Sequence, residues 1–257
     1  MPTTALGRAV AKRAQHWLTT PPPDPIDSGS STSAEVRAAV QQAMTDHLCD
    51  HYTRRPGIAP LCKAIAAHMQ AHGLEADADN GVVVTGGVDE TRYVALHALA
   101  PGKIVYIAQP GPNYAETVLA LAGIEAQALN VNAELPAVED ALLLVDPAQL
   151  SADAQSQLAE WAVAYDVTVI ADESDLSFFA EGHRPFAQHP GCAQRTLTVG
   201  SFKGADSIDH WQVAWFGGPK KLAVAVRDLK QAMTISSPAP AQYAALAAVK
   251  QMQEADA

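Results

Sequence analysis

The sequence predicts an α/β fold of three layers, with a mostly parallel, seven-stranded sheet held between helices. Two observations point to it. From about residue 82 to residue 217, short aliphatic runs alternate with stretches of helical periodicity. Strands joined by crossover helices produce that alternation and bury both faces of the sheet. The 257 residues are also enough to bury a large core, and 48% of them are hydrophobic.

Leu6, Val10 and Trp17 recur at helical spacing in a segment whose only charges are Arg8, Lys12 and Arg13. This reads as a basic amphipathic arm (a transit peptide would be serine-rich) that packs on a partner subunit. Thr20-Pro21-Pro22-Pro23-Asp24-Pro25 follows as a stiff linker, because proline fixes φ and lacks a donor. Residues 1–25 are therefore set apart from 26–257. Ser33 caps a helix with apolar positions Val36, Val40 and Met44, and a second helix runs from Pro60 to His72, stopped by Gly73.

The alternation then begins. Val82–Thr85 is a short buried strand, Asp89–Leu99 a helix, Lys103–Ala108 a strand and Tyr114–Ala122 a helix. Strands follow at Ile124–Asn130 and Ala141–Asp146, then helix Ala152–Tyr165 and strand Val167–Asp172. Arg195–Gly200 and Gln212–Gly217 complete the seven, and the tail from Pro219 is mostly helical. Thr85, Asp146, Asp172 and Ser201 end strands, so they would line the edge where open α/β sheets bind ligands.

A net charge of −11 excludes non-specific nucleic-acid binding, which needs clustered cations. No apolar run reaches membrane-spanning length, and three scattered cysteines fit a reducing, cytoplasmic setting. His47/His51 and His68/His72 have helical metal-ligand spacing but no third ligand, so no metal site is assigned.

Several segments, in order from about Ile26 to Gln251, resemble the fold-type I, pyridoxal-phosphate-dependent aminotransferases of class I and II. Tyr52-Thr-Arg-Arg-Pro-Gly57 is similar to a loop whose tyrosine reaches a neighbouring subunit's cofactor phosphate. Gly86-Gly87-Val88 resembles the turn that opens a helix on that phosphate. Pro112-Asn113-Tyr114 is similar to the Pro-x-aromatic whose ring stacks on the pyridine, and Asp172 matches the aspartate that pairs with the pyridinium nitrogen. Ser201-Phe202 in front and Trp211, Val213 and Ala214 behind frame the cofactor-lysine loop. Taken alone, the Gly86 turn and Tyr114 are better read as a tight connection without a ligand and a half-buried core residue.

Within that frame Gly204 occupies the lysine position, Lys203 stands one residue early, and Gln212 replaces the phosphate arginine. Asp146-Pro147-Ala148-Gln149 lacks the asparagine that bonds the cofactor's phenolic oxygen, and Asp175 stands where a tyrosine would bond it. The resemblance thus implies a large domain without the C-terminal small domain. It implies a non-catalytic scaffold or complex subunit, a homodimer, with pyridoxal phosphate lost. Two alternatives stay open: an active enzyme using Lys203, and a small-molecule-binding protein that keeps the pocket. Candidate catalytic residues are Lys203 and Asp172; candidate cofactor contacts are Tyr52, Gly86, Gly87, Val88, Tyr114, Asp172 and Ser201.

Overall fold

The computed structural model of the chain describes residues 32–74, 76–112, 114–176, 184–203 and 208–255. The basic arm and proline linker, Asn113 and Gly204 lie outside the described residues.

Ser33 opens helix α1 (Ala34–Thr45) by accepting a hydrogen bond from the Val36 N–H at 3.1 Å. Val36, Val40 and Ala43 are its buried residues, whereas Met44, expected on that face, is 56% exposed. Steps of four drift off a helix with 3.6 residues per turn, and the step of three returns to the stripe. Helix α2 (Ala59–Ala71) has Pro60 in its first turn and stops before Gly73, whose φ of +72° suits glycine.

The alternating region contains β1 (Val82–Thr85), α3 (Val88–Leu99), β2 (Ile104–Gln109), α4 (Ala115–Ala122), β3 (Ala126–Asn130) and β4 (Ala141–Val145). It continues with α5 (Ala152–Ala164), β5 (Thr168–Asp172), β6 (Thr196–Gly200), β7 (Ala214–Gly217), α6 (Lys220–Thr234) and α7 (Ala239–Ala255). All seven expected strands form. The last begins at Ala214 instead of Gln212, because Gln212 turns into the left-handed region at φ +53° and leaves the strand path.

The sheet order is β1-β7-β6-β5-β4-β2-β3, and only β7 runs antiparallel to its neighbours. The carboxyl ends of β1, β4, β5 and β6 therefore emerge on one edge. Alternation along β4 shows the three layers. Leu142 and Leu144 join a core with α3, α4 and α6, while Leu143 and Val145 join another with α5. A third core packs Val82, Val84 and Trp215 against α1, α2 and α7. No helix among the described residues is long and apolar enough to cross a membrane.

Gly200, the last residue of β6, marks the tightest contact beneath the ligand edge. A Cβ there would overlap the Trp215 indole, whose Nε1–H donates to the Ser201 carbonyl at 3.1 Å. Gly200→Ala is expected to lower stability by roughly 1–3 kcal/mol, the usual cost of overpacking a core, read from the urea midpoint. An unchanged midpoint would mean that the indole yields freely.

Candidate functional site

At the carboxyl edge lies a cavity of about 360 Å³, bounded on one side by Gly87, Val88 and Arg92 and on the other by Ser201, Lys203 and Gln212. The fold thus brings four expected site residues (Gly87, Val88, Ser201, Lys203) to one cavity. Asp172 and Tyr114 meet it through Arg92. Tyr52 is 80% exposed and does not line it.

The inner wall is built on Asp172. It ends β5 and is 3% exposed, so its charge must be met by the protein itself. One carboxylate oxygen accepts from the Ser174 N–H at 3.1 Å and the Ser174 hydroxyl at 2.6 Å. The other accepts from Arg92 Nε at 2.7 Å. Arg92 comes from the second turn of α3. Its Nη2 donates to the Ser174 hydroxyl oxygen at 3.0 Å, and its guanidinium carbon lies 3.5 Å from the centre of the Tyr114 ring. Burial opposes the Arg92 charge, and the Asp172 carboxylate overrides that, leaving the guanidinium pKa above its ordinary value. Burial, with the nearby Asp172 carboxylate, also raises the Tyr114 phenol, whose buried hydroxyl has no hydrogen-bond partner of ordinary geometry among the described residues.

The turn before α3 is likewise engaged. Gly87 caps the helix at φ +109°, and a Cβ on it would come within 2.9 Å of Gln212 Oε1. The Gly86 N–H donates to Glu90 Oε2, and Thr91 Oγ1 donates to the Gly87 carbonyl at 3.0 Å. Glu90 Oε1 accepts from the Thr234 hydroxyl at 2.9 Å, and the Nζ of Lys230, which is 1% exposed, donates to that hydroxyl's oxygen at 3.3 Å.

The outer wall carries the lysine loop. The Ser201 hydroxyl donates to the Ser174 carbonyl at 2.6 Å and accepts from the Lys203 N–H at 3.1 Å. Lys203 Nζ sits 3.6 Å from Asp175 Oδ1, with half of its side chain exposed. Asp146 caps the turn after β4, accepting from the Ala148 N–H at 3.1 Å and from Gln149 Nε2 at 2.6 Å. Burial raises its pKa. Away from the edge, His47 pairs with Asp50, and His68 and His72 meet edge to face at 4.6 Å. Among the described residues, no three His, Cys, Asp or Glu side chains form a metal-binding group.

A parallel sheet with its last strand reversed, an aspartate ending β5 and a glycine turn opening α3 define the large domain of a fold-type I aminotransferase. Residues 24–256 match the profile of the family Aminotransferase class I and II, and the chain belongs to that family. It is 34% identical over 218 residues to the probable N-succinyldiaminopimelate aminotransferase DapC of Mycobacterium tuberculosis (strain CDC 1551 / Oshkosh), covering 76% of this chain and 55% of that protein. It is 30% identical over 240 residues to the arginine–pyruvate transaminase AruH of Pseudomonas aeruginosa, covering 84% of this chain and 61% of that protein. A solved structure of N-succinyldiaminopimelate aminotransferase from Mycobacterium tuberculosis superposes with a TM-score of 0.75 at 27% identity, over 98% of this chain and 71% of that one. The chain spans 55% and 61% of the length of these two sequence relatives.

The family implies pyridoxal phosphate. A pyridine ring stacked on Tyr114 and paired with Asp172 does not fit the described residues: the Arg92 guanidinium covers a face of Tyr114, and both carboxylate oxygens of Asp172 are engaged. Arg92 belongs to no motif in the sequence. No local signal marks its role, because its buried carboxylate partner lies 80 residues away in the sequence.

Two measurements test this electrostatic reading. The Asp172 and Arg92 side chains are 3% and 13% exposed, whereas in the Asp166–Arg195 pair the carboxylate is 95% exposed. Asp172→Asn should cost about 3–5 kcal/mol by stranding a buried cation, and Asp166→Asn about 0–1 kcal/mol, in parallel urea titrations. Comparable costs would deny the buried pair its role. For Lys230, burial lowers the pKa from 10.5 against the partial opposition of Glu90. The unfolded chain then binds the proton more tightly, so native stability should rise with pH from the depressed folded value up to about 10.5. Lys230→Met should abolish this rise; its persistence in the variant would place its origin at another group.

Proposed function

We propose that the chain is a small-molecule-binding protein of the aminotransferase family that keeps a pocket at the carboxyl edge of its sheet and forms no imine there. The cavity of about 360 Å³ carries this reading, because its polar walls converge on it from α3 and from the lysine loop. Its only nearby primary amine among the described residues, Lys203, is engaged with Asp175 at 3.6 Å. Glycine at position 204 removes the amine from the place where the family resemblance expects it.

A second reading is an active pyridoxal-phosphate enzyme that uses Lys203. It is supported by the position of Lys203 on the cavity wall and by the relatives, which are named as aminotransferases. The scaffold or complex-subunit role suggested by the sequence losses draws no support from the fold or from those names. Association of two copies belongs to the proposal: Met44, Leu48 and Tyr52 follow one another along one segment and are 56%, 50% and 80% exposed.

Adding pyridoxal phosphate, reducing with borohydride and mapping the modified peptides separates the two readings. The expected result is no stoichiometric label on Lys203 and no amino transfer. A stoichiometric label lost in Lys203→Ala would replace the binding reading with the enzymatic one. Sedimentation of the full chain should show a dimer at micromolar concentration that Tyr52→Ser weakens; a monomer at that concentration counts against association.

A further inference from the structure

A second cavity, of about 280 Å³, lies beside α5. Pro147 and Ala148 from the turn after β4, Gln155 from α5, and Leu176, Arg184 and His189 line it. It shares no lining residue with the cavity at the carboxyl edge. That cavity is bounded by α3, and α3 and α5 pack on opposite faces of the sheet. Two polar groups of the second cavity lack partners. His189 follows the short turn Phe186–Gln188 and is 5% exposed, and its buried Nε2 has no hydrogen-bond partner among the described residues. A polar atom buried in that way carries a desolvation cost that no contact returns. Arg184 is exposed, and no carboxylate pairs with it among the described residues. Its Nη2 makes one long hydrogen bond, to the Gln188 carbonyl at 3.4 Å. Burial, and then the nearby Arg184 charge, hold the His189 pKa below its ordinary value. The two groups are thus close enough to act on one ligand, and the imidazole is neutral near pH 7. The remaining walls bring no acid. Gln155 braces one of them, its Nε2 donating to the Pro147 carbonyl at 2.9 Å and the Leu150 carbonyl at 3.2 Å.

We infer that this cavity is a binding site for a small organic carboxylate, held by the Arg184 guanidinium and the His189 Nε2–H, with a short apolar chain against Pro147 and Leu176. The sign of the charge follows from a cation without an ion-pair partner on walls that carry no acid. A guanidinium presents its N–H groups as a fixed fork that fits a carboxylate. A neutral imidazole keeps one N–H, and a carboxylate oxygen favours the tautomer that carries it on Nε2. An organic ammonium would be repelled by Arg184 and would leave both groups without a partner. Inorganic phosphate would meet Arg184 but leave the apolar wall uncovered. The site contains neither Lys203 nor Asp172, so it stands whichever reading of the edge cavity holds.

The test uses the full chain with butanoate as probe. Butanamide serves as its neutral counterpart, butylammonium as the opposite charge and inorganic phosphate as an anion without a chain. Calorimetry measures binding, and the NMR shifts of the imidazole nitrogens show which histidine responds. The His189 signals are identified by their loss in His189→Gln or, if that variant does not fold, by their shift in Arg184→Gln. Butanoate is expected to saturate with a Kd on the order of 1 mM, the scale for so small a ligand, and to move the His189 nitrogens. Butanamide, butylammonium and phosphate should bind at least about tenfold more weakly, as should butanoate to Arg184→Gln, the scale of one lost charge-assisted hydrogen bond. Arg184→Gln removes an exposed side chain and leaves the core untouched. Arg37→Gln, the same charge change on the exposed side of α1, should leave butanoate binding as it was. Unchanged affinity in Arg184→Gln, or saturation that shifts a histidine other than His189, overturns the inference. So does binding of butanamide or phosphate as tight as that of butanoate. The absence of saturable binding up to tens of millimolar overturns it as well, and would leave the His189 ring a packing group only.

Discussion

A carboxylate at the end of a strand that is covered on both faces cannot rely on water for its charge. Asp172 is in that position, and much of the ligand edge can be understood as the chain's answer to it. Ser174 folds back to donate twice, α3 contributes Arg92, and Tyr114 lies against the guanidinium to complete the cation's surroundings. Three separate elements are thereby drawn to the carboxyl end of β5. An isolated charge there would cost many kcal/mol, so the Asp172 carboxylate and the Arg92 guanidinium each compensate the other's burial.

The same group divides the pocket in two. The inner part is filled with side chains that satisfy one another. The outer part, between the start of α3 and the lysine loop, keeps open volume and a mixture of charges from Asp89, Asp175 and Lys203. A family whose relatives are named as aminotransferases thus appears here with its scaffold retained and its inner contacts made by the chain itself.

Most of the fold could be read from the sequence, because strands covered on both faces, such as β1 and β4, announce themselves as aliphatic runs. Where the reading slipped, backbone conformation was responsible: Gln212 enters the left-handed region and delays β7, and Ala43 replaces Met44 on the buried stripe of α1. The site was legible as a set of positions. Gly87, Val88, Ser201 and Lys203 do share a cavity, with Asp172 and Tyr114 behind it. What each side chain does there was not legible, since motifs record spacing within a segment. Arg92 and Asp172 are 80 residues apart, and their pairing follows from the fold that carries α3 past the end of β5.

Glu90 has a consequence for any ligand carrying phosphate or carboxylate. Its side chain already holds the Gly86 N–H at the start of α3, and it is steadied there by Thr234 from α6. An incoming anion would meet a competitor that never diffuses away, tethered through the backbone at an effective concentration set by one turn of helix. Its affinity at this turn would then report an exchange of one anion for another. The displaced carboxylate stays well within a Debye length of the turn, so the bound anion adds its charge to that of Glu90 and the two repel.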